Sequence, residues 1–577
     1  MPAGVALYGG FAGNESSRAA RDWTAHITVL SGDLDGNDSV DANGIVTDTD
    51  YIVGYNAYTV VSSQNVTETT TLDGFTVTAG CATDTDPHDC GAGMRNDSSD
   101  PKLANLTFIG NVADRGGGMY NWNSSPTLNN VTFHRNEAIG GDGGGMYNIE
   151  LGSEPILTDV TFSENAAFDG GGGMANARDN SPQLTRVTFL ENNAVVGGGM
   201  YNEVKSCPTL TDTTFISNTA AHGGGMYNDA SSPKLITSRF TGNTATNGAG
   251  MLNTSASSPK LIDITFKSNV AQNDGGGINN EDSSPTLNNV IFNGNTAHDG
   301  GGMRNEDNSH PVLVNVTFTG NTTTYGSGGG IENKNSSSIL VNVAFYGNHA
   351  YMTGGGMSNI NISDPKIINA VFSGNTAKYG AGMINQWESS PTLINVTVTG
   401  NVAELLGGGV GNNQKCYPTL TNCIVWGNSA SDGSEACGND GSQICNTENS
   451  TPKIKNSDVQ GSGGSTSWDT TFGADLGNNI DADPQFLRAP DPDDGDWTTL
   501  PDNDYGNLHL GGISPAIDAG DNTAYPQDDS DIDDDGDTAE LISAFDLAGN
   551  ARFVGGTIDM GAYESLRVCL PLVLRSH

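Results

Sequence analysis

Residues 124–148, SSPTLNNVTFHRNEAIGGDGGGMYN, decide the fold of this chain, because the same unit returns from Gly91 to Asn428. The apolar residue after each glycine run falls at Met94, Met119, Met146, Met174, Met200, Met226, Met251, Ile278, Met303, Ile331, Met357, Met383 and Val410. These thirteen copies lie 25 to 28 residues apart. A fixed period of that size marks a stacked array, in which each repeat buries its apolar face against its neighbours.

Within the repeat the segment from Pro to Asn is rigid in length. Pro126 lies seven residues before Phe133, and Phe133 three before Asn136. Among the other copies only Ser338 replaces the Pro, and only Val398 and Val425 replace the Phe. In VTF the alternation sets Val131 and Phe133 on one face and Thr132 on the other, as a strand requires. Leu128 and Met146 supply two further inward positions. Three short strands in about 26 residues fit one coil of an all-β, right-handed, three-sided parallel β-helix, a solenoid whose coils stack ~4.8 Å apart. The array occupies 91–428. Residues 1–90 read as irregular first coils and 429–577 as further coils with a C-terminal cap.

An Asn follows every Phe position (Asn136) and ends every glycine motif (Asn148). Both rows read as asparagine ladders at corners, since Asn tolerates left-handed backbone and its amide can bond its own copy one coil along. The glycine run lacks the Lys of a phosphate loop and the helix context of a dinucleotide fingerprint. It reads as a tight corner before the Met strand.

Composition narrows the function. A formal charge of −43 with 24 basic residues and no basic run argues against a nucleic-acid partner. No stretch is long and apolar enough to span a membrane as a helix. Of the eight cysteines, Cys81 with Cys90, Cys416 with Cys423, and Cys437 with Cys445 lie close enough to staple loops, an arrangement of extracytoplasmic proteins. MPAGVALYGGFAGNE is not a signal peptide, and the start in mid-strand at Val5–Tyr8 implies an export segment lost upstream.

The pairing of FxxN with GGGM resembles the repeats of chlamydial polymorphic outer-membrane proteins and related bacterial β-helix surface proteins. SPAIDAGDN, DLAGNARF and IDMGAYE, between 514 and 564, resemble the C-terminal domain named choice-of-anchor Q. LYGGFAGNE and LDGFTVTAG resemble N-terminal elements of that group. The resemblance implies an extracellular or cell-surface protein. Residues after Asn428 show no series of barrel strands, so export through a translocator barrel of its own is not expected.

Fold alone leaves activity open, because parallel β-helices also carry polysaccharide lyases and hydrolases. The loops vary by only two residues in length and the histidines are scattered, so no substrate wall and no catalytic residue is expected. A deep acidic groove holding a basic residue would favour a pectate-lyase-like or hydrolase alternative. The residue after Met points outward, and it is Tyr at Tyr120, Tyr147, Tyr201 and Tyr227. These tyrosines are candidate contacts for a polysaccharide or a cell-surface protein. Calcium is the one cofactor suggested, by Asp531, Asp533 and Asp535 at 1, 3, 5 spacing, although position 12 is Ile542 where a calcium loop carries Glu. The reading is a rod-like adhesive or binding module, with the enzyme as alternative.

Overall fold

The computed structural model describes all residues except 86–87, 151, 432–433, 439, 494–495, 499–502, 527–544, 555 and 566–577. The candidate calcium ligands Asp531, Asp533 and Asp535, and the terminal apolar run 568–574, lie outside the described residues. The chain forms two compact units. Met1–Thr286 with Asn295–Ala297 makes the first; Leu287–Gly294 with His298–His577 makes the second. Each is a β-solenoid of parallel strands.

In the first unit, Thr127–His134 pairs in parallel with Lys102–Ile109 on one side and Ile156–Ser163 on the other. The register sets Leu128 on Leu103 and Leu157, and Phe133 on Phe108 and Phe162. A second set of parallel strands places Met119 on Met146 and Met146 on Met174. Leu128, Val131, Phe133 and Met146 are buried, as their alternation predicted. Phenylalanine rings from 108 to 266 form an offset stack, with adjacent centroids 4.5 to 5.0 Å apart. The second unit repeats the stack from Phe292 to Phe372.

Val131 comes three positions after Leu128, an odd offset that a regular strand cannot hold on one face. The chain restores parity with one left-handed residue, Asn130 at φ 53°, and with Asp159, Arg186 and Asp212 at the same place in later coils. The glycine run has a different cause. Gly143 is left-handed (φ 74°), and a Cβ on Gly144 or Gly145 would sit 2.2 or 2.5 Å from a carbonyl oxygen of the next coil. The run therefore lets coils approach as well as turn.

Both asparagine ladders form. Asn121 Nδ2 donates to Asn148 Oδ1 (2.7 Å), and Asn148 Nδ2 to Asn176 Oδ1 (2.8 Å). At the other corner Asn136 donates through its main-chain N–H and its side chain to Asn165 Oδ1, at 3.0 and 3.1 Å. One expectation changes: the ladder asparagines are not themselves left-handed. At the Asn136 corner the preceding residue is left-handed instead, Arg135 before Asn136 and Glu164 before Asn165, and at the Asn148 corner a residue two positions later, Asn123 after Asn121 and Glu150 after Asn148.

In the second unit, Ile444–Asn446 and Lys453–Lys455 extend the coils. From about 486 the chain runs along the flank of the solenoid. Tyr525 and Ile558 cover the outward row Val314, Val341, Ile368 and Ile394. Asn369 donates to Phe545 O (2.9 Å), Asn395 to Asp559 O (3.0 Å) and Asn422 to Asp521 O (3.2 Å). A Cβ on Gly374 would strike Trp497 at 2.7 Å, so the corner glycines admit this strap. Cys437 and Cys445 form the expected disulfide. Cys81, Cys90, Cys416 and Cys423 are free thiols instead of staples, and Cys207 is free as well.

The ladders make a test of what holds the coils. Asn165→Ala leaves buried donors on Asn136 without an acceptor, and is expected to cost about 2 kcal/mol. Urea titration followed by circular dichroism should show the lower midpoint. An unchanged midpoint would mean the ladder contributes nothing net.

Candidate functional site

The four tyrosines after Met occupy the predicted register. Tyr120 faces Tyr147, Tyr201 faces Tyr227, Arg95 flanks one end and Leu252 the other. The ring centroids are 5.8 and 5.4 Å apart. They do not form an exposed row, however: Tyr120 and Tyr147 are buried, and Tyr201 and Tyr227 are half-buried. The reason is local. Residues of the preceding corner arch over this face, so that the Gly116 and Gly143 positions lie against the Tyr120 and Tyr147 side chains, and Gly170 against Tyr201. Outward from the core is not outward to solvent.

Under this cover lies a small acidic cluster. Burial pushes the Asp142 carboxyl up to about 6, helped by the charges of Glu203 and Asp169 and offset by the Gly170 N–H and Arg115. Burial also raises Glu203, whose carboxylate accepts from the Tyr201 hydroxyl at 3.2 Å.

The exposed aromatic row of this protein is elsewhere, in the second unit. His298, Tyr325 and Tyr351 follow one another with tilted rings and centroids 6.1 and 5.7 Å apart, and Tyr325 is 67% and Tyr351 54% exposed. His298 lies on a corner of the shorter kind, and Tyr325 and Tyr351 on longer ones. Asn321 to Ile331 spans ten residues and Asn348 to Met357 nine, against eight from Asn295 to Met303. The additional residue in His349–Thr353 makes a bulge against Thr376–Tyr379, and Val402–Leu406 makes another. Bulges re-aim side chains, and here they put Tyr351, Met352, Leu405 and Leu406 at the surface. The Tyr351 N–H is held by Thr323 Oγ1 at 3.2 Å.

Beside this row is a depression of about 590 Å³, walled by Met352, Tyr379 and Leu406 and rimmed by Gln386, Asn413, Thr447 and Glu448. Its floor follows from the row that held tyrosines in the first unit. Here the successive residues are Ile384, Gly411 and Cys445, and the missing side chain at Gly411 opens the space. Cys445 and Ala436, tied together through the Cys437–Cys445 disulfide, form the far wall.

A second depression, of about 550 Å³, adjoins the first at Glu448 and is lined by Ile362, Trp387, Glu388, Gln414 and Lys415 among others. Its residues come from corners where two successive residues are left-handed. Ile362 (φ 56°) and Trp387 (φ 51°) are examples. For a β-branched residue such as Ile362 this is a costly conformation, and its side chain is 66% exposed, so no packing accounts for it. Gln414 Oε1 is buried and has no hydrogen-bond partner. Lys415 pairs with Glu388 at 3.3 Å, both more than half exposed. Residues 351–449 therefore provide the groove that uniform loop lengths did not lead us to expect. The overlooked signals are the aromatic character of the lengthened corners and the glycine at 411.

Among the described residues no cluster of His, Cys, Asp and Glu is arranged to hold a metal ion, and no helix is long and apolar enough to cross a membrane. Comparison with known families finds the Chlamydia polymorphic membrane protein repeat at residues 263–281. That segment, DITFKSNVAQNDGGGINNE, holds one Phe266–Asn269 pair and one glycine run. No curated protein and no solved structure matches the chain.

The raised Asp142 gives a pH signature with a definite sign. Its folded value lies above the ordinary carboxyl value, so the folded state binds the proton more tightly than the unfolded one. The Asp142 contribution to stability is then full below about pH 4, falls as pH rises towards about 6, and levels off. The expected loss is about 2–3 kcal/mol. Asp142→Asn should remove this share of the pH dependence between about 4 and 6, leaving that of Asp458 and Glu564 at higher pH, and raise the urea midpoint at pH 7; a variant less stable than the parent at pH 7 would contradict the assignment.

Proposed function

We propose that this chain is a secreted or cell-surface β-solenoid that works as an adhesive binding module and meets its partner through the groove at 351–449. The observation that carries the reading is the joined pair of depressions flanked by Tyr351, Tyr379 and Trp387. Exposed aromatic side chains around a concavity of a few hundred cubic ångströms are what recognition sites require. The polymorphic membrane protein repeat at 263–281 supports surface display. The groups at 514–564 that resemble a choice-of-anchor Q domain would, on this reading, dress the flank of the solenoid.

The groove also contains two carboxylates, Glu388 and Glu448, and one lysine, the combination that a polysaccharide-active enzyme would show. Two features favour binding. Glu388 and Lys415 neutralise each other in solvent, where such a pair acts weakly. The depressions are open, so a substrate there would keep its water.

The test is retention of the purified chain on bacterial cells, animal cells and insoluble polysaccharides, run beside the variant Tyr351→Ala/Tyr379→Ala/Trp387→Ala. The parent should be held on at least one of these surfaces, and the triple variant should lose tenfold or more of that retention (about 1.4 kcal/mol per tenfold). Equal retention of both proteins, or retention of neither, would refute the groove as the binding surface. Release of reducing or unsaturated ends from the polysaccharides would establish the enzyme instead.

A further inference from the structure

We infer that the groove ligand is an uncharged, hydroxyl-rich polysaccharide, bound with its chain crossing both depressions past Glu448. This inference rests on the binding role given to the groove above and adds the chemistry of what is bound.

Four observations converge. First, the walls offer flat or apolar faces, Tyr379, Met352 and Leu406 on one side of Glu448 and Trp387 with Ile362 on the other. Such faces pack against the C–H faces of sugar rings, and their separation into two sets suits a polymer better than a single ring. Second, the rim is amide and hydroxyl: Gln386, Asn413 and Thr447 at the first depression, Asn361, Gln414 and Asn449 at the second. Amides donate and accept at once, which matches neighbouring hydroxyls that do the same.

Third, Gln414 Oε1 is buried without a partner. An unsatisfied buried acceptor is costly, and rotation of the Gln414 amide into the depression it lines would let a ligand hydroxyl satisfy it. Fourth, the charges exclude an anionic sugar. The lining holds Glu388 and Glu448 against Lys415 alone, and Lys415 already pairs with Glu388. The chain as a whole carries −43. An approaching polyanion would be repelled and would find no cluster of cations to pair with. A cationic polymer would be drawn to the whole acidic surface instead of to this groove, and salt would weaken that attraction.

The experiment is calorimetric titration of the whole chain with oligosaccharides of about six units. The panel contains uncharged gluco-, manno-, galacto- and N-acetylglucosamine series, an anionic galacturonate series and a cationic glucosamine series. Each is measured at about 50 and about 500 mM salt. At least one uncharged series should bind, with affinity changing less than about twofold between the two salt levels. Trp387→Ala should weaken that binding by about tenfold or more, and Trp387→Phe should recover most of it. Gly411→Leu, which fills the first depression, should do the same as Trp387→Ala. It should fold once the end of the Ile384 side chain, 2.5 Å from a Cβ at 411, moves aside, since Leu252 occupies the equivalent place in another coil, and an unchanged unfolding temperature would confirm that. Tightest binding of the anionic or cationic series, or uncharged binding indifferent to both Trp387→Ala and Gly411→Leu, would overturn the inference. So would the absence of uncharged binding in a chain still held on cells through Tyr351, Tyr379 and Trp387, an outcome that leaves the binding role standing. Loss of both would remove the binding role as well.

Discussion

The hydrogen bond from one buried asparagine amide to the next, coil after coil, is the constraint on which the rest of this structure depends. An amide carries a donor and an acceptor at opposite sides, so a row of them can bond head to tail without limit. Asn121, Asn148 and Asn176 form such a row, and Asn136, Asn165 and Asn192 another. A slip of one residue would bury several amides without partners, each costing about 1–3 kcal/mol. Register is thereby fixed at two corners of every coil. Phenylalanine then lies on phenylalanine and methionine on methionine as a consequence. The close approach of main chains that the ladders enforce explains the glycines, whose added Cβ atoms would meet carbonyl oxygens of the following coil.

Fixed register also turns the surface into rows. Each outward position is read along the solenoid as a column of one residue per coil, and its character depends on what each repeat supplies there. The column after Met is a tyrosine pair under a roof in the first unit and an open floor at Gly411 in the second. The column before the left-handed residue is polar at Asn129, Thr158, Thr185 and Thr211, turns to Ile236 and Ile262 later in the first unit, and in the second runs through Val314, Val341, Ile368 and Ile394 before Thr421. That second set is the apolar face on which Tyr525 and Ile558 rest. Function and strap docking both arise where a column departs from its usual occupant, while the inward columns hardly change.

These relations mark what could be read from the residues alone. Strand assignment, core positions and both ladders were legible because Leu128, Val131, Phe133, Asn136 and Asn148 recur at fixed spacing, and inward packing tolerates little else. The left-handed Asn130 was legible in principle, since an offset of three between two inward positions breaks the alternation. The exposure of Tyr120 and Tyr147 was not, because it is set by how the preceding corner folds over them, a property of backbone path that composition does not encode. The groove escaped notice for a related reason. One added residue in 349–353 and one in 402–406 alter loop length by little, yet as bulges they redirect whole side chains.

The central claim is that the regular repeat is scaffold and that contact with a partner is made at the irregular groove. Hydroxyl-radical footprinting of the chain while it is held on a retaining surface tests this most directly. Protection of Tyr325, Tyr351, Tyr379 and Trp387, with unchanged labelling of Tyr201 and Tyr227, is the predicted result. Protection centred on Tyr201 and Tyr227, or spread evenly over the repeats, would contradict it.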